Sequence, residues 1–413
     1  MKKMLCLIAV IVLFTLIICQ TAVAGGSWQS AKKDAAHTSY ADTAIKPPLK
    51  IGWVKEINGQ AVSSAIIRDG KAYFGNGGGY SLFALNADTG DKVWEFKTDG
   101  TIESTPVIQD GAIFFGSYDG YVYKLDANSG TLVWKTDIKG GIYSSPLAYD
   151  GRIYIGTVNG KFYALDFNTG KVSWSLDKPT MASPAASGGI IYIGMQTGEL
   201  YALDAATGTV IWSYESKGVF HSSPLVYGEN VYAVTRSGKL LAFDAKNGNI
   251  KWQHELGYYT DATPSVDIKS GTIIIGTYGG YLSAINASSG SLKWISGFYG
   301  PIYSSAAISG NIAYFASQDG KLFATDITSG VKLWEYDLNS EVFGSPAIVD
   351  GRLFIGTINN KAYSFIETNV SQTTIPVGED DKGDGRQTPF TGIAGCIGAL
   401  LIALLVAYRK IKL

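Results

Sequence analysis

The sequence predicts an all-β chain: an eight-bladed β-propeller built from four-stranded antiparallel blades. Three observations carry that expectation. Trp recurs at positions 53, 94, 134, 174, 212, 252, 294 and 334, with spacings of 38 to 42 residues. A Ser/Thr-rich triplet ending in Pro or Ala keeps the same period, closing at Ala65, Pro106, Pro146, Pro184, Pro224, Pro264, Ala306 and Pro346. Each unit also holds three turn signals. In the third unit these are Asp150-Gly151, Asn159-Gly160 and Thr169-Gly170, flanking the alternating segments RIYIGT and KFYALD. Asp-Gly and Asn-Gly favour tight hairpins because such turns need positive φ. Three tight turns make four antiparallel strands, and a repeated unit of this size reads as a propeller blade.

Composition agrees. Of 413 residues, 50 are Gly, 25 Tyr and 9 Trp, and only 17% are charged. So aromatic a chain is not disordered. Lys and Arg number 34 against 35 Asp and Glu, a balance that gives no basic surface for a nucleic acid.

Taken in chain order, residues 1–24 read as a signal peptide. Lys2 and Lys3 precede an apolar run from Leu5 to Ile18, and Ala22-Val23-Ala24 is a small-x-small cleavage site. Lipid attachment at Cys19 is the competing reading, disfavoured by the bulky Ile18. Residues 25–46 form a lead-in. Residues 47–367 hold the eight blades. The first Trp, Trp53, precedes any triplet, and the eighth triplet is followed by no Trp. The N-terminal strand is therefore expected to supply the outer strand of the last blade and close the ring without a disulfide. Closure removes exposed sheet edges. Residues 368–388 are a polar linker; its DDKGDG stretch has Lys382 where a calcium loop needs an oxygen ligand. Residues 389–413 are a transmembrane anchor: GIAGCIGALLIALLVAY (392–408), followed by Arg409, Lys410 and Lys412. Such a stretch is about long enough to span a bilayer, with its basic end in the cytoplasm. The three Cys residues fall in the two ends, at 6, 19 and 396. The expected location is the cell surface, with the folded body outside and held in the plasma membrane by the C-terminal helix.

The Trp strand and the turn before it carry a resemblance. ALNADTGDKVW (84–94), ALDFNTGKVSW (164–174) and ALDAATGTVIW (202–212) match the motif A-x-(D/N)-x-x-T-G-x-x-x-W, and residues 126–134 nearly do. With the lead-in Trp28-Gln29 and the segment from Pro47 to Trp53, these stretches resemble the PQQ-repeat, quinoprotein-like propellers. The resemblance implies that Trp53, Trp94, Trp134, Trp174, Trp212, Trp252, Trp294 and Trp334 are structural blade-docking residues, each packed beside a turn Gly. Catalytic members of that family hold a quinone on a vicinal Cys-Cys pair beside a calcium ion. The body here has no Cys and no long interblade insertion. It is more similar to the non-catalytic members, the barrel-assembly scaffold lipoproteins. The segment from Thr388 to the end is similar to archaeal C-terminal sorting signals of the Pro-Gly-Phe type, without the Gly.

No catalytic, cofactor-binding or metal-binding residue is assigned, and no cofactor is expected. The expected role is a non-catalytic protein-binding or assembly scaffold, with the protein partner unidentified. A PQQ-dependent dehydrogenase and a cell-wall polysaccharide-binding module are the alternatives. The residue before each triplet varies among carboxylate, imidazole, phenol and apolar groups while the triplet stays Ser/Thr-rich. Val62, Glu103, Tyr143, Met181, His221, Asp261, Tyr303 and Phe343 are therefore expected at the channel mouth, where specificity could sit. The Ser/Thr content of the triplet is attributed to packing. Glu103, His221 and Asp261 invite a metal reading, but Glu103 is three blades from His221 and should face it across the channel. His37 is expected to be a surface or packing residue. Tyr258, Tyr259, Phe298 and Tyr299 are expected to form an exposed aromatic patch, suited to a glycan or peptide. Asn286 and Asn369 head glycosylation sequons.

Overall fold

A computed structural model describes residues 27–368. The predicted signal, linker and anchor, with Asn369, lie outside those residues. The described chain contains thirty-two strands, from β1 (Leu49–Glu56) to β32 (Lys361–Glu367), in eight four-stranded antiparallel sheets. Seven blades are formed by four consecutive strands each. The eighth has the order β1-β32-β31-β30, where β30 is Ala347–Val349 and β31 is Arg352–Thr357. β1 pairs with β32 from Leu49↔Glu367 to Glu56↔Lys361, so the chain's start stitches the ring shut, as its sequence requires.

The third blade shows how sequence becomes sheet. Its strands are β10 (Leu147–Tyr149), β11 (Arg152–Gly156), β12 (Phe162–Asp166) and β13 (Val172–Leu176). The middle strands are buried on both faces, because neighbouring blades cover each side; only the outer strand alternates with solvent. The register slips by one residue beside Trp174. That bulge recurs at the Trp of every blade, and it increases local twist.

The core is a series of clusters, each shared by adjacent blades. The indoles lie between blades. Trp174 donates to the Ala205 carbonyl of the next blade at 3.1 Å, and Trp53, Trp94, Trp212, Trp252 and Trp294 make the corresponding bond. The turn Gly of the next blade is pressed onto each indole. At Gly208, where φ is +74°, a Cβ would come within 2.6 Å of Trp174. Two indoles depart from the pattern. Trp334 meets the last blade, which lacks the turn, and packs on Phe365 and Tyr336 instead. Trp134 packs on Phe114, but its Nε1 has no acceptor.

Candidate functional site

The triplets meet around the axis through hydrogen bonds as well as packing. The backbone N–H of Ser64 donates to Thr105 Oγ1, Thr105 to Ser145 Oγ, Ser145 to Ser183 Oγ and Ser183 to Ser223 Oγ. Ser223 donates to Thr263 Oγ1, Thr263 to Ser305 Oγ, Ser305 to Ser345 Oγ, and Ser345 back to Ser64 Oγ. All eight bonds are 2.9–3.2 Å long. The period-wide hydroxyl is thus a directional requirement, and packing alone is the wrong explanation for it. Where the residue one earlier is Ser, its hydroxyl ties the inner strand: Ser104 Oγ donates to the Gly116 carbonyl, and Ser222 Oγ to that of Val234. Where that residue is Ala182 or Ala262, Thr180 or Thr260 from two residues upstream makes the bond instead.

The lead-in crosses one end of the ring. Its carbonyls at Trp28, Gln29, Ala35, Ala36, Thr38 and Ser39 accept N–H bonds from the innermost strands of six blades, at Ile67, Ile108, Ala186, Val226, Val266 and Ile308. His37 is buried there, its Nδ1 2.9 Å from the Pro224 carbonyl. Burial pushes its pKa down to about 4, helped by nearby Lys32 and opposed by Asp34 and the Pro224 bond. The next inward-facing side chain is Lys32. Its Nζ donates to Ser345 Oγ at 2.9 Å, and burial lowers its pKa to about 8.

Above this floor lies an axial cavity of about 270 Å³, lined by the hydroxyl ring and by Val62, Glu103, Tyr143, Met181, His221, Asp261, Tyr303 and Phe343. The structure therefore brings all eight variable pre-triplet positions together. Asp261 is the hub of one wall. His221 Nδ1 is 3.5 Å and Arg236 Nε 3.6 Å from Asp261 Oδ1, and the Tyr278 hydroxyl donates to Oδ2. Burial opposes ionisation of Asp261, but the bonds from His221 and Tyr278 and the charges of His221 and Arg236 hold its carboxyl below the usual range. Glu103 has no such partner, and burial raises its pKa. Tyr143 is pushed up to about 12, first by burial and then by the charges of Glu103 and Asp261. Tyr278, Tyr303 and Phe343 form a run of ring contacts at 4.4 and 5.8 Å. Lys32, Arg236 and Tyr278 lie outside the repeat marker.

The aromatic patch needs correction. Tyr258, Tyr259 and Tyr299 are exposed, at 46%, 64% and 72%. Phe298 is not part of that surface: it packs on Phe315 and Phe323 at 4.9 and 5.0 Å, because an apolar ring at the end of the Trp strand can turn into the interblade core. Asn286 accepts the N–H bonds of Ser288 and Ser289 in its turn.

A quinone–calcium pair does not fit this cavity. Calcium takes six to eight oxygen ligands; the cavity offers two carboxylates, and Asp261 already faces His221, Arg236 and the Tyr278 hydroxyl while Glu103 stands apart. Among the described residues, no three of His, Cys, Asp or Glu converge as metal ligands.

Eight four-stranded blades, indoles docked on turn glycines and strand-exchange closure define a PQQ-repeat β-propeller. The chain belongs to the family described as outer membrane protein assembly factor BamB, whose model matches residues 79–186, 178–305 and 296–374. It is 30% identical over 102 residues to the outer membrane protein assembly factor BamB of Shewanella oneidensis, which covers 24% of this chain and 26% of that protein. It is also 30% identical over 111 residues to the beta-alanine-activating enzyme of Danio rerio, across 24% of this chain and 10% of that one. The chain thus spans about a quarter or less of the length of these relatives. Among solved structures, a europium-containing methanol dehydrogenase superposes with a TM-score of 0.75 at 13% identity, covering 83% of this chain and 98% of its own. BamB from Moraxella catarrhalis gives 0.69 at 17%, covering 77% and 99%. Such identities show the fold alone.

Proposed function

We propose that this protein is a non-catalytic scaffold that holds protein partners at the cell surface, tethered by its C-terminal segment. The observation that supports the reading best is family membership with an assembly factor, across three successive stretches of the propeller. The dehydrogenase alternative shares the fold, but the axial donor set does not suit its cofactor and metal. Partner contact is assigned to the ring surface, where Tyr259 and Tyr299 stand out; exposed aromatic groups in clusters mark interaction sites.

The test uses photocrosslinking in intact cells from positions beside Tyr259 and Tyr299. A discrete protein adduct, lost in the Tyr259→Ala/Tyr299→Ala variant, supports the scaffold. Dye-linked alcohol oxidation by the full chain after loading with PQQ and calcium overturns it. A second reading, glycan binding, is favoured by the same tyrosines; a glycan array with the double variant separates it, since binding there without a protein adduct replaces the scaffold reading.

A further inference from the structure

The floor of the axial cavity has unused hydrogen-bond donors. Each of the eight ring hydroxyls accepts the N–H of the neighbouring blade. None donates its own proton to an acceptor on the protein, among the described residues. A Ser or Thr hydroxyl carries one donor as well as its lone pairs, so the ring turns a circle of O–H groups toward the axis. Lys32 stands with them. An ammonium has three donors, and Lys32 uses one, on Ser345 Oγ. Among the described residues no carboxylate lies in ion-pair range of it, whereas its neighbour Lys33 is paired with Asp42 at 2.6 Å. Buried charge without a counter-charge is costly, and a cation ringed by hydroxyl donors has the character of an oxyanion seat.

The walls define the rest of the ligand. Met181, Tyr143, Tyr303 and Phe343 offer apolar and aromatic faces, while Glu103 places an unpaired carboxylate there and disfavours a second anionic group. At about 270 Å³ the space is at the small end of ligand sites. The geometry points to a binding site for a small monocarboxylic acid with an apolar body, its carboxylate seated on Lys32 and the hydroxyl ring and its body against the aromatic wall. The site does not depend on whether the propeller holds a protein partner. It also explains why the lead-in should lie across the axis: it delivers the one cation that completes the seat.

Calorimetric titration of the full chain in detergent micelles tests this with phenylacetate, phenethylamine and inorganic phosphate. Phenylacetate is expected to bind saturably, and phenethylamine, which lacks the carboxylate, is not. Lys32→Arg should retain binding, and Lys32→Met should weaken it about tenfold or more, as expected for loss of a charged hydrogen bond. Met181→Trp leaves Lys32 in place, fills the cavity from its wall and should block binding even if Lys32→Met fails to fold. The inference is overturned if phenylacetate does not bind, if phenethylamine or phosphate binds more tightly, if folded Lys32→Met binds as wild type does, or if Met181→Trp leaves binding undiminished.

Discussion

Trp174 and Gly208 should be coupled in a way that only interblade docking explains. The Trp174 indole lies on the turn of the next blade, where a Cβ at Gly208 would sit 2.6 Å from its Cδ2 and 2.7 Å from its Cε3. Trp174→Ala removes the ring but leaves no orphaned acceptor, because the Ala205 carbonyl keeps the Tyr154 hydroxyl at 2.8 Å. The loss is therefore one of packing. It should be about 3 kcal/mol, the lower end for a large aromatic truncation, since the indole is only half-buried. Gly208→Ala in the intact protein adds two penalties: about 1 kcal/mol or more for a Cβ at positive φ, and about 1–3 kcal/mol for overpacking. With the indole already gone, the second penalty vanishes. The double variant should thus be more stable than the sum of the singles predicts, by at least about 1 kcal/mol. Urea unfolding followed by circular dichroism measures all four corners of the cycle. A Trp174→Ala change below about 1 kcal/mol, or additivity within about 0.5 kcal/mol, would refute interblade docking.

Two further outcomes follow from the ends of the ring. Deletion of the chain through Trp53 removes the lead-in and the first half of the β1 ladder on β32, from Leu49 to Trp53, and should lower the thermal midpoint of the whole body; an unchanged midpoint would mean that the strand exchange contributes nothing to closure. His37 is neutral in the fold, with a pKa near 4 instead of an ordinary imidazole's. Its contribution is complete above about pH 6.5 and is lost as pH falls toward 4, a cost of about 3 kcal/mol for a shift of this size. Hydrogen exchange at the Val226 and Val266 amides should accelerate over that window, and His37→Asn, which keeps a donor for the Pro224 carbonyl, should flatten the acid limb.

The blades were legible because their residues answer to local rules. Trp, turn Gly and triplet each recur with the period, and the missing Trp of the last unit together with the early Trp53 specified the closure. The eight cavity positions were legible for a related reason: Glu103, His221 and Asp261 vary in chemistry just ahead of a triplet that stays rich in Ser and Thr. The lead-in was not legible. It binds through its carbonyls, which every residue carries, so the contacts of Ala35 and Ala36 with Ala186 and Val226 leave no mark in side-chain identity. The orientation of Phe298 was hidden too, because one aromatic residue at a strand end reads the same whether it faces solvent or Phe315. Tyr278 and Arg236 come from inner-strand turns, and only the fold carries them to Asp261.

Two lysines with partly or wholly buried stems show how a structural cation differs from one aimed at a ligand. Lys124 replaces the Ala that faces the Trp in every other complete motif. Its Nζ donates to the Phe167 carbonyl at 3.1 Å and lies 4.3 Å from the Phe167 ring and 5.3 Å from that of Phe114. That carbonyl is the one that faces Trp134, whose Nε1 alone in the series of turn-docked Trp residues lacks a bond among the described residues. Its charge is met by a carbonyl and two π-faces, and it has no opening before it. Lys32 has a single hydroxyl, which already accepts the Ser305 N–H, and beyond it the axial cavity, lined in part by Tyr143, Tyr303 and Phe343. Burial lowers the pKa of both. Desolvation therefore does not distinguish them; unused donors facing a cavity do, and only Lys32 has those.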